Sequence, residues 1–348
     1  MRFPFFSGPK REFPAARSFP FVEVVGGESR VLVLPTLGGK IAELWLAGRQ
    51  WLWSNPVIPL SPGVDGESYV ETADSGGMDD CVPTIGACRV PGWIRTFGGA
   101  ELPEHGELWS QVPEVDVRTS ATGHLVRCRW TGIRLPYRFE REVRVDPAGT
   151  VHLSWVMHND ASERMPFVWS AYPLFPLTVD TRLMLPEGSR LRVFARHGID
   201  LGEVRSEHKW PVIRGGGKVH DFTDPGAVAR KYACKLFLDV KEGDATLREA
   251  SHQLRLAWDP VEIPNVGLWI NKKGWTPFRD EAPYMNLGLA PGIGAPDTLV
   301  EALGDWKSAA WLDPGASRQW SLRMTGSRIA SVEDARDAGD AGDPRDAE

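Results

Sequence analysis

The feature that most constrains this chain is an alternation of apolar and polar residues with a period of two. Over residues 150–157, Val151, Leu153, Trp155 and Met157 fall on one face and Thr150, His152 and Ser154 on the other. Trp320, Leu322 and Met324 repeat the pattern within 318–324. Successive strand side chains point to opposite faces, so each run reads as a strand with one buried face. Similar runs occur at 21–25, 30–34, 41–46, 125–130, 138–145, 192–195, 234–240 and 253–258, separated by Gly, Pro, Asp or Asn. These make about ten strands, and no amphipathic helix of three turns accompanies them. Parallel strands need crossover helices, so the expected class is all-β and antiparallel, a sandwich or barrel. The 36 glycines and 28 prolines are spread along the chain, as many turns require.

No break in composition divides the chain before its end. We therefore expect one domain over 15–326, an N-terminal extension at 1–14 and an acidic tail at 327–348. After Val332 the tail has no aromatic or large aliphatic residue, and such a segment is expected to be disordered. It also accounts for the charge. Seven acids and two arginines in 331–348 give −5 of the net −6, which leaves −1 for the rest.

A body so close to neutral lacks the basic stripe that nucleic-acid backbones demand, so no nucleic-acid partner is expected. No apolar run is long enough to span a membrane, so no membrane partner is expected either. The apolar pieces after Arg2 are broken by Pro4, Pro9, Pro14 and Pro20 and form no signal core. Cys81, Cys88, Cys128 and Cys234 contain no CxxC pair and read as reduced thiols, which points to the cytoplasm. The eight histidines form no i, i+4 pair, and HExxH, EF-hand, GxSxG and strand-associated GxGxxG patterns are missing, so neither metal nor cofactor is expected. The stretch Arg214-Gly215-Gly216-Gly217-Lys218 lacks the spacing, the Ser/Thr and the helix of a phosphate cradle and reads as a plain loop. Most of the 15 tryptophans are expected to pack between sheets, with a few free to stack on a saccharide.

Three segments are more specific. One is Gly76-Gly77-Met78-Asp79-Asp80-Cys81-Val82-Pro83, followed by Leu102-Pro103-Glu104-His105-Gly106-Glu107-Leu108-Trp109. Another is Phe167-Val168-Trp169-Ser170-Ala171-Tyr172-Pro173-Leu174-Phe175. The last runs from Val266-Gly267-Leu268-Trp269-Ile270-Asn271 through Gly274-Trp275 to Leu287-Gly288-Leu289-Ala290-Pro291 and Gly294-Ala295-Pro296-Asp297. In order and spacing, together with Leu34-Pro35-Thr36-Leu37-Gly38-Gly39, they resemble the aldose 1-epimerase (galactose mutarotase-like) family from about residue 21 to 325.

The resemblance implies a large antiparallel β-supersandwich and a cleft for a small-molecule sugar or sugar derivative. Interconverting anomers requires a base for the anomeric hydroxyl and an acid for the ring oxygen on opposite sides of the sugar. In the family a glutamate is the base, a histidine the acid, and a second histidine stands beside the ring oxygen. Here His105 matches the second histidine, Tyr172 stands where the acid is expected, and Ala290 replaces the base. His105 and Tyr172 are thus the catalytic candidates, and Asp79, Asp80, Arg95, Glu107, Trp169 and Trp269 the candidates for substrate contact. Asp280, Glu281, Glu301, Glu101 and Glu104 are further carboxylates near these segments.

Three readings stay open: a sugar-binding protein without mutarotase chemistry, an active epimerase using His105, Tyr172 and a relocated carboxylate, and Tyr/His lyase chemistry on a sugar. Arg89, Arg95, Lys272 and Lys273 raise the possibility of a phosphorylated ligand. The sequence leaves the oligomeric state open.

Overall fold

Strands that alternate must bury their apolar faces against something, and here they do so against each other. The computed structural model describes residues 15–120, 123–279 and 284–329; the expectations for 1–14, for 330–348 and for Asp280 and Glu281 lie outside them. Two large antiparallel sheets dominate. The larger has 13 strands, with a central run of Lys40–Leu46, Met78–Cys81, Trp169–Pro176, Met285–Ile293, Asn265–Lys272, Tyr232–Asp239 and Arg190–His197. The second has eight, in the order Arg182–Met184, Asp244–Glu249, His252–Trp258, Ser317–Arg328, Val151–Asn159, Tyr137–Val145, Gly123–Thr131 and Glu114–Ser120. Tyr69–Thr72 and Leu299–Leu303 are the α-helical segments among the described residues.

All ten runs with a period of two are strands. The strand Val151–Asn159 alternates buried and half-buried positions along its whole length. The final strand continues to Arg328, which pairs with His252, two residues beyond the expected boundary. Three strands at the centre of the larger sheet, Trp169–Pro176, Asn265–Lys272 and Met285–Ile293, do not alternate because both faces are covered. The Gly-rich stretch at 214–218 is a hairpin turn in which Gly216 and Gly217 take φ of 56° and 71°.

The sheets meet over an aromatic core. Trp155 and Trp320 of the smaller sheet pack on Trp169 of the larger at centroid distances of 4.6 and 5.0 Å, and all three are fully buried. A fully buried ion pair crosses this interface: Arg141 Nη1 donates to Asp80 Oδ2 at 2.9 Å, and Trp169 Nε1 donates to the other Asp80 oxygen at 3.2 Å. The face of the large sheet turned away from this core carries the cleft.

Candidate functional site

The cleft has a volume of about 400 Å³ and lies over the strands carrying Tyr172, Trp269 and Lys235. Its floor follows from the period of two. Where Trp169, Ala171 and Phe175 face the core, Tyr172 and Leu174 face the cleft; where Cys234 and Leu236 face the core, Ala233 and Lys235 face the cleft.

Small residues let two long side chains meet across this floor. The pairs Ser170↔Gly292 and Leu174↔Gly288 bracket Tyr172 and set it beside Ala290, which pairs with Gly267, which pairs in turn with Phe237. A Cβ on Gly288 would stand 3.1 Å from the Cβ of Trp269 and 3.4 Å from Tyr172 Cε1. Over this row Lys235 Nζ donates to the Tyr172 hydroxyl at 2.7 Å and stands 3.2 Å from Asp297 Oδ1. The Asp297 loop is held in turn by its carbonyl, which accepts the backbone N–H groups of Ile85 and Gly86.

Charge and burial set the protonation states. Burial pushes the Tyr172 phenol up to about 12, with the Lys235 ammonium opposing. Burial alone lowers Lys235, but Asp297 and Tyr172 outweigh it and hold the ammonium above its ordinary value. At neutral pH the pair is therefore a neutral phenol and a charged amine.

His105 stands on the opposite wall. Its φ is 59°, and Gly106 follows at 73° with no space for a Cβ, which would lie 2.2 Å from the carbonyl oxygen of Val82. The imidazole stacks on Tyr69 at 3.8 Å and meets Tyr172 edge-on at 5.3 Å. Burial, then the cations Lys235 and Lys40, hold it well below the usual histidine range, so it is a neutral imidazole.

In the same cleft Asp74 is buried, its Oδ1 has no hydrogen-bond partner, and its carboxyl is pushed up to about 7. Burial is the main cause, and Asp79 and Glu104 add to it against Lys40. Glu104 completes the acidic side. Trp269 and Trp275 form an aromatic corner, 5.7 Å apart and at 89°. Asn271 holds the corner by accepting the Gly274 and Trp275 N–H groups and donating to the Trp275 carbonyl.

Of the residues expected from sequence, His105, Tyr172 and Trp269 come together in this cleft. The structure places the other candidates outside the cleft lining. Asp80 and Trp169 lie between the sheets, where the Arg141 guanidinium and the aromatic core occupy their polar and apolar surfaces. Glu107 is fully buried, and its carboxylate accepts the N–H groups of Ile133 and Arg134 and the Tyr137 hydroxyl, tying down the 133–137 segment. Asp79 pairs with Lys40 and accepts the Tyr69 hydroxyl at 2.6 Å, so it steadies the ring under His105 without lining the cleft. Arg95 is exposed and lies outside the cleft lining.

Sequence reasoning missed Asp74, Lys235, Trp275 and Asp297. Lys235 had a signal, being the one charge inside the apolar run from Tyr232 to Leu238. Among the described residues no group of three His, Cys, Asp or Glu is placed to hold a metal ion, and no helix is long and apolar enough to cross a membrane.

No family model matches the chain, and no curated protein matches it in sequence. Solved structures do. A galactose mutarotase-like protein from Clostridium acetobutylicum superposes with a TM-score of 0.62 at 12% identity, covering 92% of this chain and 98% of its own. A galactose mutarotase related enzyme from Lactobacillus acidophilus gives 0.61 at 14%, covering 90% and 99%. A galactose mutarotase-like protein from Lactobacillus casei gives 0.54 at 17%, covering 88% and 100%. Sequences this far apart share architecture and leave function to the residues of the site. On that architecture, two stacked antiparallel sheets with a cleft on the outer face of the larger, the chain has the galactose mutarotase-like fold.

Proposed function

We propose that this protein binds a neutral sugar in the cleft between His105 and the Trp269–Trp275 corner. The observation that carries this reading is the pairing of that right-angled aromatic corner with a polar wall of Asp74, Glu104, His105, Tyr172, Lys235 and Asp297. A pyranose offers C–H faces to aromatic rings and hydroxyls to carboxylates and amines, and the cleft volume suits one sugar. Charge argues for an unphosphorylated ligand. Three carboxylates line the cleft against the cations Lys235 and Arg196. The cations that suggested a phosphate are elsewhere: Arg89 pairs with Glu101 and Lys272 donates to the Gly226 carbonyl.

The mutarotase reaction is poorly supported at the expected position, since Ala290 offers a buried methyl group and no proton acceptor. A second reading is favoured by one observation, the Asp74 carboxyl near 7 in the same cleft, well matched to general acid–base work at neutral pH. There Asp74 is the relocated carboxylate.

Calorimetric titration with D-glucose, D-galactose and glucose 6-phosphate tests the binding. A neutral sugar is expected to bind, its 6-phosphate more weakly, and Trp269→Ala to abolish the heat. Silence from every neutral sugar, or preference for the phosphate, rejects the reading. Polarimetry on the sugar that binds decides the chemistry: acceleration toward anomeric equilibrium that Asp74→Asn removes establishes the second reading, and binding without acceleration dismisses it.

A further inference from the structure

Lys235 is the one charge inside the apolar run from Tyr232 to Leu238, and it is 4% exposed. Its contacts define a task for it. An ammonium has three donors and no acceptor, so in its 2.7 Å contact with Tyr172 the phenol oxygen must accept. The phenol keeps its own proton, and that proton cannot return to Lys235. Among the described hydrogen bonds no protein group accepts it. The groups facing Tyr172 are Lys235 from the strand Tyr232–Asp239, Asp297 from the loop after Met285–Ile293, Cys81 from the neighbouring strand and the edge-on ring of His105. Lys235 is fixed from its other side by Asp297, whose loop the Ile85 and Gly86 amides hold.

The geometry points to Lys235 as a positioning residue that, anchored on Asp297, occupies the lone pair of the Tyr172 hydroxyl and turns its proton into the cleft, so that Tyr172 grips a ligand oxygen acting as acceptor. This rests on the sugar-binding reading for the identity of the ligand, whereas the Lys235–Tyr172 coupling belongs to the protein alone. Ala290 and Gly267 carry the row between the two strands, where a Cβ on Gly267 would stand 3.3 Å from the Phe237 ring and 3.7 Å from the Ala290 Cβ. Lys235 acts through Tyr172, and it needs no contact with the ligand.

The test has one arm without ligand and one with it. In protein carrying 13Cζ-tyrosine, the Tyr172 signal is assigned by its loss in Tyr172→Phe. At neutral pH, Lys235→Met is expected to shift that signal and Lys235→Arg to leave it near the wild-type position. In calorimetry with the neutral sugar that binds best, Tyr172→Phe is expected to weaken binding roughly tenfold or more. Lys235→Met should match it, and the double variant should be no weaker than either single one. Lys235→Arg should stay within roughly threefold of wild type, since it restores a donor. An unmoved Tyr172 signal in Lys235→Met, wild-type affinity in that variant, or additive losses in the double variant overturns the proposal. If Lys235→Met does not fold, Asp297→Asn replaces it, with a shift of the same signal expected and an unmoved signal overturning. If no neutral sugar binds the wild-type protein, the sugar reading fails, and the Tyr172 signal alone still decides the coupling.

Discussion

Asp74 and His105 show how a few side chains set the pH response of the site. The folded protein holds the Asp74 proton up to about pH 7, whereas an unfolded chain releases it near 3.8. A raised carboxyl pKa gives stability that is full below the unfolded value and declines as pH rises toward the folded one. His105 works the other way: it stays neutral when folded, so stability falls as pH drops below 6.5, where the unfolded imidazole takes up a proton. Over pH 4–6.5 the two slopes oppose each other. Asp74→Asn removes the first, and the variant is expected to gain on wild type progressively from pH 4 to 7, by up to about 4 kcal/mol. Urea unfolding at pH 4, 5, 6, 7 and 8 checks this; a wild-type-to-variant difference that does not change with pH contradicts it. His105 could be read from its motif, because a histidine before glycine in an ordered segment carries its own context. Asp74 could not, because its shift comes from burial, with Asp79 and Glu104 adding to it against Lys40, and only folding supplies these.

At the scale of elements, the strands that were easiest to read are those furthest from the chemistry. Tyr137–Val145 and Val151–Asn159 alternate cleanly because one face meets the core and the other meets water. The strands Asn265–Lys272 and Met285–Ile293 have both faces covered, so no period of two marks them, and they were noticed only as resembling segments. Their glycines are what the cleft needs. Gly288 leaves the floor open between Trp269 and Tyr172, with 3.1 Å from its missing Cβ to the Cβ of Trp269. A branched side chain there must push into the cleft, since the sheet cannot give way beneath it. Gly288→Val is expected to cost about 1–3 kcal/mol of stability, as overpacking usually does. Its sugar affinity should fall at least roughly tenfold, as expected when a pocket is filled. Thermal unfolding beside calorimetry separates the two effects, and unchanged affinity in a folded variant shows that the floor lies elsewhere.

Across the whole molecule, the two sheets are joined by tryptophans and by the fully buried Arg141–Asp80 ion pair, and this division explains where the expected site residues outside the cleft lie. Asp80 and Trp169 sit in the same resembling segments as His105 and Tyr172, yet a strand sends alternate residues to opposite faces, so a segment that lines the cleft also supplies the interface behind it; Glu107 lies in a turn, where its carboxylate is held by the Ile133 and Arg134 amides. Asp79 and Asp80 show this directly, one holding Lys40 and Tyr69 and the other Arg141 and Trp169. Burial pushes the Asp80 carboxyl up despite Arg141, so desolvation outweighs the attraction. Removing only the cation is therefore the damaging change: Arg141→Met leaves a buried carboxylate without its partner and should cost about 3–5 kcal/mol. Adding Asp80→Asn to that variant should recover part of the loss, because the uncompensated charge is gone. Neither change touches the cleft, so the folded fraction of each variant should bind sugar as wild type does. Denaturant midpoints for the two singles and the double, with calorimetry on each, check the argument; a loss of affinity in Asp80→Asn without a loss of stability would return Asp80 to the binding site.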